Sequence, residues 1–246
     1  MTQHSYFNLD GGGIGSGSAQ KSGEKGEKGG KEKGKEKQKH TAEPLSTILD
    51  HSLQIDASHY LPKNEDTGIP DGRKAPVEGT FLDFRKGKRI GEGSGNGGES
   101  GESGERAEGA EPGGAFADGR RGFDDFFAVD GFKGPGHVRR AAVLSSSSSN
   151  NSESNKPKRS LEIWTDAAGI QFYSAGFCGL PPSPLVKGKK GTLHGPYAGA
   201  ALETHAFPNG VNATEGGEKE VGEWKRGMVL NPGEEYKHIV EWRFSW

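Results

Sequence analysis

The last residues of the chain, EYKHIVEWRFSW (235–246), alternate apolar and polar side chains. An extended strand places successive side chains on opposite faces, so a period of two is typical of a β-strand with one buried face. One face of this strand carries mainly charged residues, and the other carries Tyr236, His238, Val240, Trp242, Phe244 and Trp246. The stretch therefore predicts a β-strand at the C-terminus.

Shorter segments of the same kind occur further upstream. They are apolar or alternating runs that are bounded by Gly, Pro, Asp or Asn: HSLQIDA (51–57), AAVL (141–144), LEIWTD (161–166) and GIQFYSAGF (169–177). Turn residues stand at GIPDGR (68–73) and NPGEE (231–235), where Pro fixes φ and Gly tolerates a positive φ. No comparable stretch has the period of an amphipathic helix. The sequence therefore predicts an all-β fold, built as a large antiparallel β-sandwich.

Glycine is abundant and hydrophobic residues are scarce in this chain. Its 246 residues include 42 Gly, and the hydrophobic fraction of 30% departs from an ordinary globular domain towards low complexity. Three segments have almost nothing to bury: 11–40, 91–121 and 145–158. We expect these segments to be disordered inserts within a single β-sandwich domain that spans residues 1–246.

Net charge, cysteine content and hydropathy exclude several classes of protein. The chain has 32 Lys and Arg against 34 Asp and Glu, a formal charge of −2, which provides no broad basic surface for nucleic acid. Its single cysteine, Cys178, cannot form an internal disulfide or a multi-cysteine metal site. No apolar stretch approaches the roughly 18 residues of a membrane span, and the first residues lack the features of a signal peptide. We expect a soluble, cytoplasmic protein without a membrane partner.

Seven segments resemble, in the same order, the motifs of one enzyme family. They cover nearly everything outside the inserts: HSYFNL (4–9), HSLQIDASHYLPKNEDTGIPDG (51–72), VEGTFLDFRKGKRIG (77–91), GFDDFF (122–127), LEIWTDAAGIQFYSAGF (161–177), ALETHAFPNGVN (201–212) and LNPGEEYKHIVEWRFSW (230–246). The family is the aldose 1-epimerases, also known as galactose mutarotases. The resemblance implies a β-sandwich with a sugar cleft on one face, a small hexose substrate, and neither a metal nor an organic cofactor. It leaves the oligomeric state open.

The reaction of that family needs an acid and a base beside the sugar. Exchange of α and β anomers removes the proton of the anomeric hydroxyl and gives one to the ring oxygen, so that the ring opens, C1 rotates and the ring closes. The resemblance assigns the base to Glu203 of the LET motif and the acid to His4 of HSYFNL. A carboxylate is ionised at neutral pH and the pKa of imidazole lies near working pH, so both residue types suit these roles. The resemblance also assigns sugar-hydroxyl binding to Asp124 in GFDDFF.

Other interpretations of these residues stay open from the sequence. His4 lies close to the start of the chain and would be a mobile terminal residue if nothing held it. Asp124 would merely contact solvent, since FDD replaces the YDH that is usual in the family and the His of that motif is lost. The aromatic residues Phe172, Tyr173 and Phe177 would either stack on a sugar or, as is more common in a strand, pack in the core.

The main departure from the family lies upstream of HSYFNL. Family members carry roughly their first half before this motif, and that half supplies sandwich strands and further sugar-contacting residues. We therefore expect the chain to lack the N-terminal portion of the fold, as a truncated gene model, a genuine fragment or a divergent product. Two alternative functions follow. One is a non-catalytic sugar-binding or regulatory remnant, and the other is a hexose-6-phosphate 1-epimerase, which would need a cationic pocket for the phosphate.

Overall fold

The computed structural model consists mainly of two antiparallel β-sheets and describes most residues outside the predicted inserts. The described residues are 2–11, 47–64, 66–70, 72–93, 122–146, 159–180, 185–188, 193–212 and 228–246. The inserts predicted at 11–40, 91–121 and 145–158 lie almost wholly outside the described residues, so their disorder stays a prediction.

Short β-strands make up nearly all of the regular structure in the described residues. They are β1 (Tyr6–Phe7), β2 (Ser52–Ile55), β3 (His59–Tyr60), β4 (Ala75–Pro76), β5 (Lys88–Arg89), β6 (Asp124–Ala128), β7 (Arg139–Ser145), β8 (Ser160–Thr165), β9 (Gly169–Tyr173), β10 (Val186–Lys187), β11 (Leu193–His194), β12 (Ala200–His205) and β13 (Val240–Ser245). The helical segments in the described part of the chain are the 3-10 turns Ile90–Gly93 and Gly210–Asn212. No helix among these residues is long and apolar enough to cross a membrane.

The strands form two main sheets and one small hairpin. The first sheet has six strands in the order β1-β12-β9-β6-β3-β4, and the second has five in the order β13-β8-β7-β2-β5. Strands β10 and β11 pair with each other in a separate two-stranded sheet. The pairings in both main sheets are antiparallel. The predicted all-β antiparallel fold class is therefore confirmed.

The main core lies between the two sheets and is rich in phenylalanine. Strand β9 buries Ile170 and Phe172, and the residues between and after them point to the opposite side of the first sheet. The Phe172 ring stacks on Phe123 at a centroid distance of 5.2 Å and meets the edge of Phe84 at 5.8 Å. Burial of each such side chain contributes about 1.5–3 kcal/mol relative to exposure. Because side chains alternate along the strand, Gln171 and Tyr173 lie on the other, outer face of the first sheet.

A smaller apolar cluster covers part of that outer face. Its members are Leu61, Phe126, Ala128, Ala168 and Phe207. Gly169 lies directly beneath the Phe126 ring, because a Cβ at this position would come within 2.4 Å of the Phe126 Cζ atom. The absence of a side chain at Gly169 thus allows the ring to rest on β9. The cluster forms an apolar border on the face that carries the candidate site.

The C-terminal strand forms as predicted, but its apolar face is less buried than the alternation implies. The alternation begins at Tyr236, whereas β13 begins four residues later. Trp242 pairs with Ile163 of β8 and Phe244 pairs with Leu161, which places both aromatic residues on the core face of the second sheet. Trp242 and Phe244 nevertheless remain 41% and 50% exposed, because β13 is the last strand of its sheet.

Candidate active site

The pairing register of the first sheet brings outward-facing polar side chains of three strands together. Glu203 of β12 lies opposite Gln171 of β9, and Asp124 of β6 lies opposite Tyr173 of β9. Residues directly opposite each other share a face of the sheet. Because Phe172, which lies between Gln171 and Tyr173, is buried in the core, these four side chains project from the outer face.

Glu203 lies beside His4, which precedes β1. Nε2 of His4 is 3.3 Å from Oε1 of Glu203. Glu203 is 8% exposed, whereas 53% of the His4 side chain is exposed. The segment before β1 is held against β12, because the side-chain amide of Gln3 donates a hydrogen bond of 2.7 Å to the carbonyl oxygen of Leu202. The structure thus brings together the two residues to which the family resemblance assigns the roles of acid and base.

The segment that follows β1 is also anchored. The amide N–H of Leu9 donates a hydrogen bond of 3.0 Å to Nε2 of His51, and the carbonyl oxygen of Leu9 accepts one of 2.7 Å from Arg159. The side chain of Asn8 donates to the carbonyl oxygen of Ala198 at 3.0 Å. Burial lowers the pKa of His51 and so favours the neutral imidazole, which can accept the hydrogen bond from Leu9. His4 therefore belongs to a segment that is fixed on both sides of β1.

The surroundings of Glu203 favour its protonated form. Burial is the largest cause and raises the pKa of Glu203, and the negative charge of Asp124 raises it further. The neighbouring His4 acts in the opposite direction. A carboxylate with a raised pKa is a stronger base than an exposed one, which suits general base catalysis near neutral pH.

Asp124 is held by two side chains and still reaches solvent. Its Oδ1 atom accepts a hydrogen bond of 2.6 Å from Nε2 of Gln171, and its Oδ2 atom lies 3.2 Å from Nζ of Lys63. Lys63 also donates to the main-chain carbonyl oxygen of Asp124. The side chain of Asp124 is 56% exposed. The carboxylate is therefore oriented on the face that carries Glu203 and remains accessible to a ligand.

Two tyrosines border the acid–base pair. The Tyr6 ring lies 5.0 Å from the His4 ring and 6.3 Å from Tyr173. Burial is the main cause of a raised pKa at both Tyr6 and Tyr173, so that both phenols stay protonated. The core interpretation of the aromatic residues in GIQFYSAGF holds for Phe172, which is fully buried. It is wrong for Tyr173, which lies on the outer face, and for Phe177, which is 58% exposed.

Two members of this site, Gln171 and Lys63, are not among the site residues predicted from the sequence. Gln171 pairs with Glu203 in register and donates to Asp124, and Lys63 pairs with Asp124. The alternation of β9 could have identified Gln171. It is the polar residue between two buried apolar positions, and it stands two residues before Tyr173 and so on the same face. Nothing in the local sequence singles out Lys63, because its partner comes from a distant strand.

Together these side chains form a polar surface that can exchange protons and bind hydroxyl groups. Within the described segments, no group of three or more His, Cys, Asp or Glu is arranged to hold a metal ion. Fold and site define a class: an antiparallel β-sandwich protein that carries a carboxylate–imidazole pair on the outer face of one sheet.

The sequence model of one family, described as aldose 1-epimerase, matches residues 39–243. Since this match spans most of the chain, the chain belongs to the aldose 1-epimerase family. Asp124 and Glu203 lie inside the matched range, whereas His4 precedes it.

Individual relatives match the whole chain over half of their own length. The chain is 28% identical to galactose mutarotase of Homo sapiens over 246 residues, which cover 100% of this chain and 49% of that protein. It is 31% identical to aldose 1-epimerase of Escherichia coli K12 over 250 residues, which cover 99% of this chain and 50% of that protein. The crystal structure of galactose 1-epimerase from Lactobacillus acidophilus has a TM-score of 0.49 and 28% identity, and the match covers 81% of this chain and 45% of that one. The chain thus spans about half the length of the curated relatives it matches.

Proposed function

We propose that this site interconverts the α and β anomers of hexoses such as galactose and glucose. The observation that carries the proposal is the 3.3 Å contact between His4 Nε2 and Glu203 Oε1 on the outer face of the first sheet. An imidazole and a carboxylate can supply the acid and the base that ring opening requires. The names of the relatives, galactose mutarotase and aldose 1-epimerase, support this choice of reaction.

Ring opening moves two protons and breaks the bond between C1 and the ring oxygen. The carboxylate of Glu203 removes the proton of the anomeric hydroxyl, the C1–O1 bond becomes a carbonyl, and the bond between C1 and the ring oxygen breaks. The imidazolium of His4 gives its proton to the ring oxygen, which becomes the C5 hydroxyl. Rotation about C1–C2 turns the aldehyde. Closure on its other face returns one proton from Glu203 to O1 and one from the C5 hydroxyl to His4, which yields the other anomer.

The remaining side chains of the site would hold the sugar during rotation. An ionised Asp124 can accept hydrogen bonds from two sugar hydroxyls, and the amide of Gln171 fixes the direction of that carboxylate at 2.6 Å. The rings of Tyr6 and Tyr173 offer an apolar border against which the C–H groups of a hexose can pack. Binding at the distal hydroxyls would keep O1 and the ring oxygen near the acid–base pair while C1 turns.

A neutral hexose fits the charges of the site better than a hexose 6-phosphate. Lys63 is a cation that lies next to Asp124, the residue proposed to bind sugar hydroxyls. Its ammonium group already contacts both the carboxylate and the main-chain carbonyl oxygen of Asp124. A phosphate group would have to compete with these contacts and would approach two carboxyl groups, Asp124 and Glu203. The negative charges of the phosphate and of these carboxyl groups would repel each other, so a hexose 6-phosphate is the less favourable ligand.

Polarimetry tests the proposal directly. Freshly dissolved α-D-galactose and α-D-glucose are followed with the unmodified chain, with Glu203→Gln and with buffer alone, and glucose 6-phosphate serves as the competing substrate. We expect the unmodified chain to accelerate mutarotation of the neutral sugars, and Glu203→Gln to lower this acceleration about 10²–10⁴-fold, since it removes the general base. Glu162→Gln, which changes a carboxylate of β8 in the other sheet, is the matched control and should keep the full rate.

The alternative function is sugar binding without catalysis, which the oriented and accessible carboxylate of Asp124 would support on its own. Saturable binding of galactose by the unmodified chain, with a mutarotation rate equal to that of buffer, would replace the catalytic proposal by this one. Acceleration that Glu203→Gln leaves intact would show that another group is the base.

A further inference from the structure

Strand β13 forms an edge of the second sheet, at which none of the described strands pairs with its outer side. Strand β13 pairs with β8 on one side and stands last in the sheet, with no further strand beside it among the described residues. The carbonyl oxygen of Ile239 accepts a hydrogen bond from the amide of Asp166 at the end of β8, so the odd-numbered residues of β13 direct their main-chain groups towards β8. Because this direction alternates along a strand, the N–H and C=O groups of Val240, Trp242 and Phe244 point away from it.

The same edge carries two aromatic side chains that lie on the core side and are only partly covered. Trp242 and Phe244 lie on the face of the second sheet that buries Leu161 and Ile163, yet they are 41% and 50% exposed. The opposing sheet reaches them with Phe7 of β1, whose ring is 5.4 Å from Trp242 and 6.3 Å from Phe244. Exposed aromatic groups beside an unpaired strand edge are typical of an interaction surface.

We propose that β13 is the interface of a symmetric dimer, in which the β13 strands of two copies of this chain pair antiparallel. The two-fold axis passes beside Trp242, so that Trp242 lies opposite the partner's Trp242 and Val240 lies opposite the partner's Phe244. The two copies of the second sheet then form one continuous sheet. An isologous contact of this kind uses the same patch on both copies and closes at two subunits.

The charged face of β13 selects this register. With Trp242 on the axis, Glu241 lies opposite the partner's Arg243, and Arg243 lies opposite the partner's Glu241. A slip of one strand by two residues places Glu241 against the partner's Glu241 or, in the other direction, Arg243 against the partner's Arg243. Opposite charges across a strand pair stabilise it and like charges destabilise it, so the alternating pattern of β13 is complementary to itself in one register.

Both charged side chains are available for this pairing. Glu241 and Arg243 are about half exposed and contact each other at 2.7 Å within the strand, on the face away from the core. Arg243 also lies 4.1 Å above the Trp164 ring of β8, which holds its guanidinium near the edge. A carboxylate can accept from two guanidinium groups, so Glu241 can keep its contact with Arg243 and accept a second from the partner's Arg243.

Two charge-reversal variants test the proposal through complementation. Glu241→Arg and Arg243→Glu each place like charges opposite each other in the self-dimer, whereas a mixture of the two places opposite charges at both positions. By sedimentation velocity over a range of concentrations, the unmodified chain should dimerise, each variant alone should dissociate at least about tenfold more readily, and the mixture should dimerise again. Recovery on mixing requires that both variants are folded, so loss of folding cannot imitate this result.

Arg89→Glu provides the matched control, since it reverses a charge in β5 at the opposite edge of the same sheet. It should leave the dimer unchanged. A monomeric unmodified chain at all concentrations would overturn the proposal, as would a dimer that neither β13 variant weakens. Association only with a separate polypeptide, such as the half of a relative that this chain does not match, would assign the surface to that partner and would equally overturn it.

Discussion

Glu203 occupies a position in which burial and a nearby negative charge both oppose ionisation. The residue is 8% exposed, and burial is the largest cause of its raised pKa; His4 offsets part of the increase and Asp124 adds to it. Such a group is costly for folding at neutral pH, where it is ionised more readily in the unfolded chain. Residues that act in catalysis are commonly held in unfavourable surroundings of this kind.

Glu203→Gln should therefore stabilise the folded chain at neutral pH. Because the pKa of Glu203 is higher in the folded than in the unfolded chain, its favourable contribution is fully present below the unfolded pKa and is lost as pH rises through the folded pKa. The neutral amide avoids this loss, so we expect a gain on the order of 1 kcal/mol near pH 7 that disappears near pH 4. Urea unfolding at both pH values measures it, and a destabilised variant at neutral pH would contradict the electrostatic account.

Asp124 is accessible and oriented, and its proposed role is to accept hydrogen bonds from sugar hydroxyls. Asp124→Asn should raise the KM for galactose about tenfold, since one charge-assisted hydrogen bond is lost while the acid–base pair stays in place. Lys63→Met is the companion variant. It removes an exposed ion pair worth about 1 kcal/mol or less and should leave the melting temperature nearly unchanged. A KM that Asp124→Asn leaves unaltered would exclude Asp124 from the sugar site.

Strand β9 connects the core with the site through its alternation. Its buried positions, Ile170 and Phe172, pack between the sheets, and the intervening Gln171 and the following Tyr173 lie on the face that carries Glu203. The packing of Ile170 and Phe172 in the core therefore helps to fix the positions of Gln171 and Tyr173 on the outer face. One register shift in this strand would move Gln171 from the outer face to the core.

Phe172→Ala should lower the free energy of unfolding by about 3–5 kcal/mol, because it creates a cavity beneath the site. Phe177→Ala removes an aromatic side chain from the same motif at a position that is 58% exposed, and should change stability by about 0.5 kcal/mol or less. Denaturant titration of both variants compares the two sites. Equal effects would contradict the assignment of Phe172 to the core.

Sequence alternation identifies β8, β9 and β13 and misses the two-residue strands. Strands β8, β9 and β13 have five or six residues, long enough for a period of two to be recognised. Strands β3, β4 and β5 have two residues each, and no pattern distinguishes so short a run from a loop. The exposure of Trp242 could not be predicted either, since it depends on the place of β13 in the sheet order.

The candidate site combines residues that lie far apart in the sequence. His4 comes from the N-terminal segment and Glu203 from β12, so no local spacing connects them, and the family motifs alone indicated the pair. Gln171 is likewise distant from Glu203 in the sequence, and it lies beside Glu203 because β9 and β12 pair in this register. The fold class followed from residue patterns, whereas the composition of the site required either the resemblance or the structure.

The two sheets share one core, and we propose that the chain unfolds as a single domain. The main cluster contains residues of both sheets, such as Leu161 and Ile163 of β8 and Ile170 of β9. Loss of either sheet would expose the apolar face of the other, so unfolding should be cooperative. Circular dichroism and tryptophan fluorescence should report one coincident transition in urea. Two separated transitions would indicate that the sheets belong to different folding units.

The pH dependence of kcat/KM for mutarotation of α-D-galactose shows whether Glu203 and His4 act as base and acid. We predict a bell-shaped profile for the unmodified chain, because the reaction needs an unprotonated base and a protonated acid. The rate falls on the acid side as Glu203, whose pKa is raised by burial, takes up a proton. His4→Asn should lower the maximum about 10²–10⁴-fold and remove the alkaline fall. A flat profile, or an alkaline fall that persists in His4→Asn, would show that Glu203 and His4 are not the base and the acid.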